Sequence, residues 1–175
     1  MAMVGLFWIA EGDIYIGAKP VGLAPGIRLT PEGVLALHDG RSSLHLWEDV
    51  HSLTVTDIPL RTLRRRAGAI KDLALGTVLG MALPPDGGLL DETPPLMKVS
   101  LESGTTTHEF PVYAAAATGY TPTEVTLSHT LLTHLTEGAA TMSTTLSTMS
   151  TWGRTTPTHS PTHQTQEQLL TTWTT

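Results

Sequence analysis

The sequence predicts an α+β or mainly β fold: an antiparallel β-barrel or roll closed by a C-terminal amphipathic helix, with a helical insertion. Three observations lead to this fold class. Short alternating apolar runs separated by turn residues fill the first 57 positions. Helical character replaces them after Pro59, and leucines recur at spacings of three and four after Thr121. Period two indicates half-buried strands, and the longer spacing indicates a helix with one apolar face.

The early strands are predicted from alternation and from the turns between them. Pro31-Glu32-Gly33 and Asp39-Gly40 carry the residues that tight turns require. Six strands are expected on either side of such turns: Phe7–Ala10, Ile14–Ala18, Ile27–Thr30, Val34–His38, Leu44–Trp47 and Leu53–Thr56.

Two further strands and a helix are predicted after the insertion. Met97–Glu102 and Thr105–Phe110 flank a Ser103-Gly104 turn. Thr121 and Glu124 form a capping-box pattern, and Pro122 occupies the first helical position, where its missing N–H is harmless. We expect the leucines of this helix to close the open end of the bent sheet: Leu127, Leu131, Leu132 and Leu135.

Composition bounds the class of protein. The chain has 175 residues, a formal net charge of −6 and no cysteine. Its length fits one domain with accessory segments, the acidic balance argues against nucleic-acid binding, and disulfides are excluded. The N-terminus lacks the basic start of a signal peptide, and no apolar run approaches the roughly 20 residues of a membrane span. These features predict a cytoplasmic protein.

The stretch from Gly26 resembles the bacterial pleckstrin-homology-like (PH-like) and GRAM families. The resemblance rests on two groups of residues: Gly26, Ile27, Leu29, Thr30 and Gly33 at a strand start, then Trp47, Asp49, Val50 and Leu53 at an acidic corner. It implies a PH-like domain over 1–137, in which 58–95 is an unusually long insertion.

Two segments follow the predicted domain. Residues 138–152 are expected to extend the closing helix, although Gly138 and many threonines weaken its second half. Residues 153–175 are rich in Thr, Pro, His and Gln, which predicts a flexible tail with a possible short adhesive segment at Gln166–Trp173.

The favoured function is a non-catalytic protein-binding or assembly module, as an adapter or a small structural subunit of a larger particle. Its predicted contact surfaces are a sheet edge, the insertion, and an apolar stripe along the C-terminal helix. The stripe consists of Leu135, Met142, Leu146, Met149 and Trp152. Exposed apolar patches of this kind usually mark a partner or self-association. The competing interpretation is a longer helix that lies along its own domain.

The alternative function is peripheral membrane binding through the insertion. A basic run would meet anionic headgroups, and the apolar segment 73–83 would enter the interface. The basic residues are Arg61, Arg64, Arg65, Arg66 and Lys71. The competing interpretations are an ordinary buried helix or a surface for self-association.

No catalytic, metal or cofactor site is predicted. The sequence contains no nucleophile elbow, phosphate-binding glycine loop or His-Glu-x-x-His motif. The eight histidines are too scattered to suggest the three or four ligands of a zinc site.

Overall fold

A computed structural model describes residues 1–61, 94–155 and 159–175. This part of the chain is α+β, as predicted. Its nine strands are β1 Ala2–Val4, β2 Phe7–Ala10, β3 Asp13–Ile16, β4 Gly26–Leu29, β5 Gly33–His38, β6 Arg41–Leu46, β7 Val50–Thr56, β8 Leu96–Ser103 and β9 Thr106–Tyr113. Its helices are α1 Pro122–Leu135, α2 Ala139–Thr155 and α3 His163–Trp173.

Most of the predicted insertion lies outside the described residues. Arg64, Arg65, Arg66, Lys71 and the apolar segment 73–83 all fall there, whereas Arg61 is described. Within the described ranges, no helix is long and apolar enough to cross a membrane.

The first sheet is an antiparallel meander of six strands, β1 to β6, in chain order. Its last hairpin confirms the turn predicted from Asp39-Gly40. Both residues have positive φ, 50° and 72°, so they form the left-handed two-residue turn that suits the strand twist. Because this turn fixes the register, His38 lies opposite Arg41 and Val34 opposite His45.

The second sheet contains β7, β8 and β9 in that order. The two sheets do not close into a barrel, which corrects the predicted closure. The chain changes sheet at residues 47–49, the Trp-acidic corner, where Asp49 N–H donates to Leu46 O at 2.9 Å. A tight turn at this point ends the hydrogen bonding of β6 before β7 begins.

Helix α1 begins with the predicted capping box. Glu124 N–H donates to Thr121 Oγ1 at 3.2 Å, and Thr121 N–H donates to Glu124 Oε2 at 3.0 Å. Leu131, Leu132 and Leu135 are buried, as expected of the closing helix. Leu127 is partly buried against the same core.

Helix α2 is separate from α1 and covers β2 and β3. Gly138 lies in the break between the two helices. Met142, Leu146 and Met149 are buried in the core, as is Leu135 at the end of α1. The prediction that this stripe is exposed is therefore wrong, because α2 packs its apolar side against β2 and β3 of the meander. The interpretation of a helix lying along its own domain is the correct one.

The C-terminal segment is a helix rather than a flexible tail. Thr162 caps α3 by accepting from Thr165 N–H at 3.4 Å. Leu170 and Trp173 are buried, and Trp173 packs edge-on against Trp152, with ring centroids 5.6 Å apart. The prediction of disorder is wrong for 163–173, since Gln166, Leu170 and Trp173 of this helix are buried against the rest of the chain.

Candidate binding surface

The edge of β1 in the first sheet is covered by side chains from far along the chain. Met3 N–H donates to Ser160 Oγ at 2.9 Å. In the adjoining turn, Gly5 N–H donates to Gln166 Oε1 at 2.9 Å and Leu6 N–H to Ser128 Oγ at 3.1 Å. Gln166 and Ser128 are buried, so these bonds satisfy backbone groups that water does not reach.

The outer strands of the second sheet also carry contacts. The His129 ring of α1 lies against β7, with Nε2 2.9 Å from Val55 O. At the end of β9, Tyr113 O accepts from Ala18 N–H at 2.7 Å. These contacts occupy backbone groups at which another strand would otherwise pair.

Strand β6 also pairs with one strand only, β5, but it differs from β1 in that no side chain of the described ranges is hydrogen-bonded to its outward backbone groups. The closing pair of a two-residue hairpin is hydrogen-bonded, and bonded and non-bonded pairs then alternate along the strands. Ser42, Leu44 and Leu46 fall in the non-bonded pairs, so their backbone N–H and C=O groups point away from β5. Trp47 N–H donates to Glu32 O at 3.4 Å, which fits this alternation. We call these outward groups the β6 edge.

Leucines line the outer face of the sheet beside this edge. Leu44 and Leu46 are 49% and 40% exposed, and Leu35 and Leu37 on β5 are partly buried behind them. Ser43 and His45 alternate with the leucines and belong to the face that carries buried Val34 and Ala36. The β6 edge therefore borders an apolar patch.

His45 connects β6 to the second sheet through ring contacts. Its ring centroid lies 4.8 Å from that of His108 and 5.7 Å from that of Phe110, both on β9. Burial, and to a smaller extent the neighbouring His108, lowers the pKa of His45 from its ordinary value. The cluster fixes the inner face of β6 and leaves its edge and outer face accessible.

Charges of opposite sign lie at the two ends of β6. Arg41 follows the hairpin turn, and Glu48 and Asp49 lie in the corner after Leu46. All three charged residues are exposed. An antiparallel partner would therefore meet a basic end and an acidic end.

A cleft between α2 and the loops around β3 and β4 is a second candidate. Its volume is about 360 Å³, within the usual range for small-ligand sites. Arg28 lines it and forms an ion pair with Asp13 at 2.5 Å, while Arg154 and the Ser143, Ser147 and Ser150 hydroxyls line the helix side. Among the described residues, the buried Nε of Arg28 has no hydrogen-bond partner. The lining suits a small anion, but this donor set defines no particular ligand.

A carboxylate–imidazole pair lies beside Arg61, near the start of the predicted insertion. His163 Nδ1 contacts Oε1 of the fully buried Glu124, and Arg61 Nη1 lies 2.6 Å from His163 Nε2. Arg61 is the described member of the predicted basic run, and here it contacts the domain itself. In a hydrolytic triad Nε2 would face a nucleophile, whereas here the guanidinium occupies that position. The arrangement connects α1, α3 and the start of the insertion, and it does not form a general base.

No metal site emerges among residues 1–61, 94–155 and 159–175, where no three His, Asp or Glu side chains are grouped to hold an ion. Comparison with protein-family models, curated proteins and solved structures gave no match. The candidate surface therefore rests on the geometry of this chain.

Proposed function

We propose that this chain is a non-catalytic protein-binding module that accepts an extended strand from a partner at the β6 edge. The observation that carries the proposal is the contrast between this edge and the covered one. Side chains from distant parts of the chain occupy the backbone groups of β1 and its turn, whereas the described residues leave the outward groups of β6 without a partner strand.

Strand addition suits the chemistry of this edge. Backbone hydrogen bonds supply affinity, and the alternating side chains supply specificity. Proteins usually protect an exposed edge with lysine, proline or a bulge. Between Arg41 and Leu46 the residues are Ser-Ser-Leu-His, with neither lysine nor proline. A partner strand would cover Leu44 and Leu46 while pairing the backbone.

The proposal retains one of the three contact surfaces predicted from the sequence. The helix stripe is in the core, and most of the insertion lies outside the described residues. The sheet edge remains. Membership of the PH-like or GRAM families stays a prediction, as does membrane docking through the basic run.

Selection from a library of extended peptides tests this proposal. We expect the selected peptides to shift the amide resonances of Ser42, Leu44 and Leu46 and to slow their hydrogen exchange. Leu44→Lys should weaken binding at least tenfold. Leu96→Lys is the matched control, because Leu96 is an exposed leucine of the second sheet at 52% exposure. Peptides that bind but leave the β6 amides unchanged would show that the proposal is wrong.

A further inference from the structure

We infer that a second copy of this chain is a partner of the β6 edge, in an antiparallel pairing with a two-fold axis through Leu44. The inference rests on the proposed function, since it names one occupant of the same edge. A two-fold interface requires a surface that is complementary to itself. The backbone, the apolar side chains and the charges of β6 each meet this requirement.

The backbone groups match in a single register. Ser42, Leu44 and Leu46 are spaced by two, so an axis through Leu44 sets Ser42 of one copy opposite Leu46 of the other. Each outward N–H then faces an outward C=O across the axis. Leu46 O already accepts from Asp49 N–H at 2.9 Å, but a carbonyl oxygen has a second lone pair. The pairing would therefore use all the backbone groups of the β6 edge.

The apolar side chains would come together on the outer face. Residues directly opposite in an antiparallel pair have Cβ atoms about 4.5–5.5 Å apart, so the two Leu44 side chains would touch. The two copies' patches, which include Leu35, Leu37 and Leu46, would then form one continuous surface. Two leucines that are each about half exposed would lose contact with water on association.

The charges are also complementary in this arrangement. Arg41 of one copy approaches Glu48 and Asp49 of the other, because antiparallel pairing sets the hairpin end against the corner. Arg41 would lie opposite position 47, which separates the two Arg41 residues by about 20 Å at roughly 3.4 Å per residue. Repulsion over that distance is screened at physiological salt. The pairing is attractive at both ends.

The expected association is weak. One short strand from each copy provides less contact than the roughly 1,200 Å² that stable complexes usually bury. We therefore expect a reversible dimer whose dissociation constant is as high as about 1 mM. Such a dimer is populated only at high protein concentration.

Single-cysteine variants test the register, because the chain has no cysteine of its own. Opposed residues of a hydrogen-bonded antiparallel pair have Cα atoms about 5.5 Å apart, within disulfide range. Leu44→Cys should form a cross-linked dimer under mild oxidation. Ser42→Cys alone should cross-link at least tenfold less, since the two copies of that residue would be about 13 Å apart. A mixture of Ser42→Cys and Leu46→Cys should recover the cross-link.

Equal cross-linking of every variant would indicate random collision and overturn the inference. Sedimentation of the cysteine-free chain distinguishes a failure of this inference from a failure of the proposed function. A chain that stays monomeric at about 1 mM, while selected peptides still bind β6, rules out the second copy alone. A dimer that persists in a folded Leu44→Lys variant forms elsewhere and also overturns the inference. If neither a second copy nor any peptide pairs with β6, both proposals are wrong.

Discussion

The two edges of the six-stranded sheet differ in whether side chains are hydrogen-bonded to their outward backbone groups. At β1 and its turn, side-chain oxygens of Ser160, Gln166 and Ser128 accept three backbone N–H groups. At β6, the described residues supply no such group. Of the four buried polar or charged residues in the described ranges, Ser128 and Gln166 bond to the turn of this edge directly. The difference teaches that edge protection here comes from side chains of α1, of α3 and of the segment just before α3.

Removing the apolar anchor of the covered edge should have the largest effect. Leu170 is fully buried and lies beside Gly5. Leu170→Ala should lower the free energy of unfolding by about 2–5 kcal/mol, because it leaves a cavity under α3. Chemical denaturation measures the change, with Leu169→Ala as the partly buried neighbouring control. Equal losses in the two variants would contradict this packing.

Removing a polar group from the same edge should have a smaller effect. Gln166→Ala leaves Gly5 N–H buried without an acceptor, which costs about 1–3 kcal/mol. Gln168→Ala, at an exposed position of the same helix, should change stability by no more than about 0.5 kcal/mol. Amide hydrogen exchange should quicken at Gly5 in the first variant and not in the second.

The histidine on the inner face of β6 should make the free energy of unfolding modestly dependent on pH. The pKa of His45 is lowered from 6.5, so below pH 6.5 the unfolded chain takes up a proton before the folded one does. The contribution of His45 to stability is therefore complete above that pH and declines as the pH falls below it. His45→Asn should reduce the slope of unfolding free energy against pH in this window. An unchanged slope would show that burial of His45 has no energetic consequence.

Substitution on the open edge should have the smallest effect on stability. Leu44 is half exposed and contacts solvent, so Leu44→Lys should alter the free energy of unfolding by no more than about 0.5 kcal/mol. The same variant should lose strand addition, because the edge then carries the charged residue that proteins use to prevent it. A large loss of stability would mean that Leu44 is a core residue and not part of a binding surface.

Local features were predictable from the sequence, whereas the covered edge was not. The Asp39-Gly40 turn and the Thr121–Glu124 capping box depend on residues close in sequence, and both are present. The bonds that cover β1 join residues separated by 157 and 161 positions. No local pattern indicates which distant side chain will reach a given strand.

The same reasoning explains the two errors near the C-terminus. Met142, Leu146 and Met149 lie on one side of a helix, as predicted. The pattern does not say whether that side faces solvent or the chain's own sheet. Residues 163–173 have the composition of a disordered tail, yet Gln166, Leu170 and Trp173 share one buried side. The average composition of a segment does not show whether a few of its side chains will be buried, and the docking of this helix depends on those few.

The chain is hydrogen-bonded to Tyr120 and Ala114 on the two sides of the predicted insertion. Arg61 N–H donates to Tyr120 O at 2.9 Å and Tyr120 N–H to Pro59 O at 2.8 Å, while Pro95 O accepts from Ala114 N–H at 2.9 Å. These bonds join described residues, so they fix the chain just before residue 62 and just after residue 93. Replacing residues 62–93 with a short linker would therefore measure how much that stretch adds to the stability of the chain.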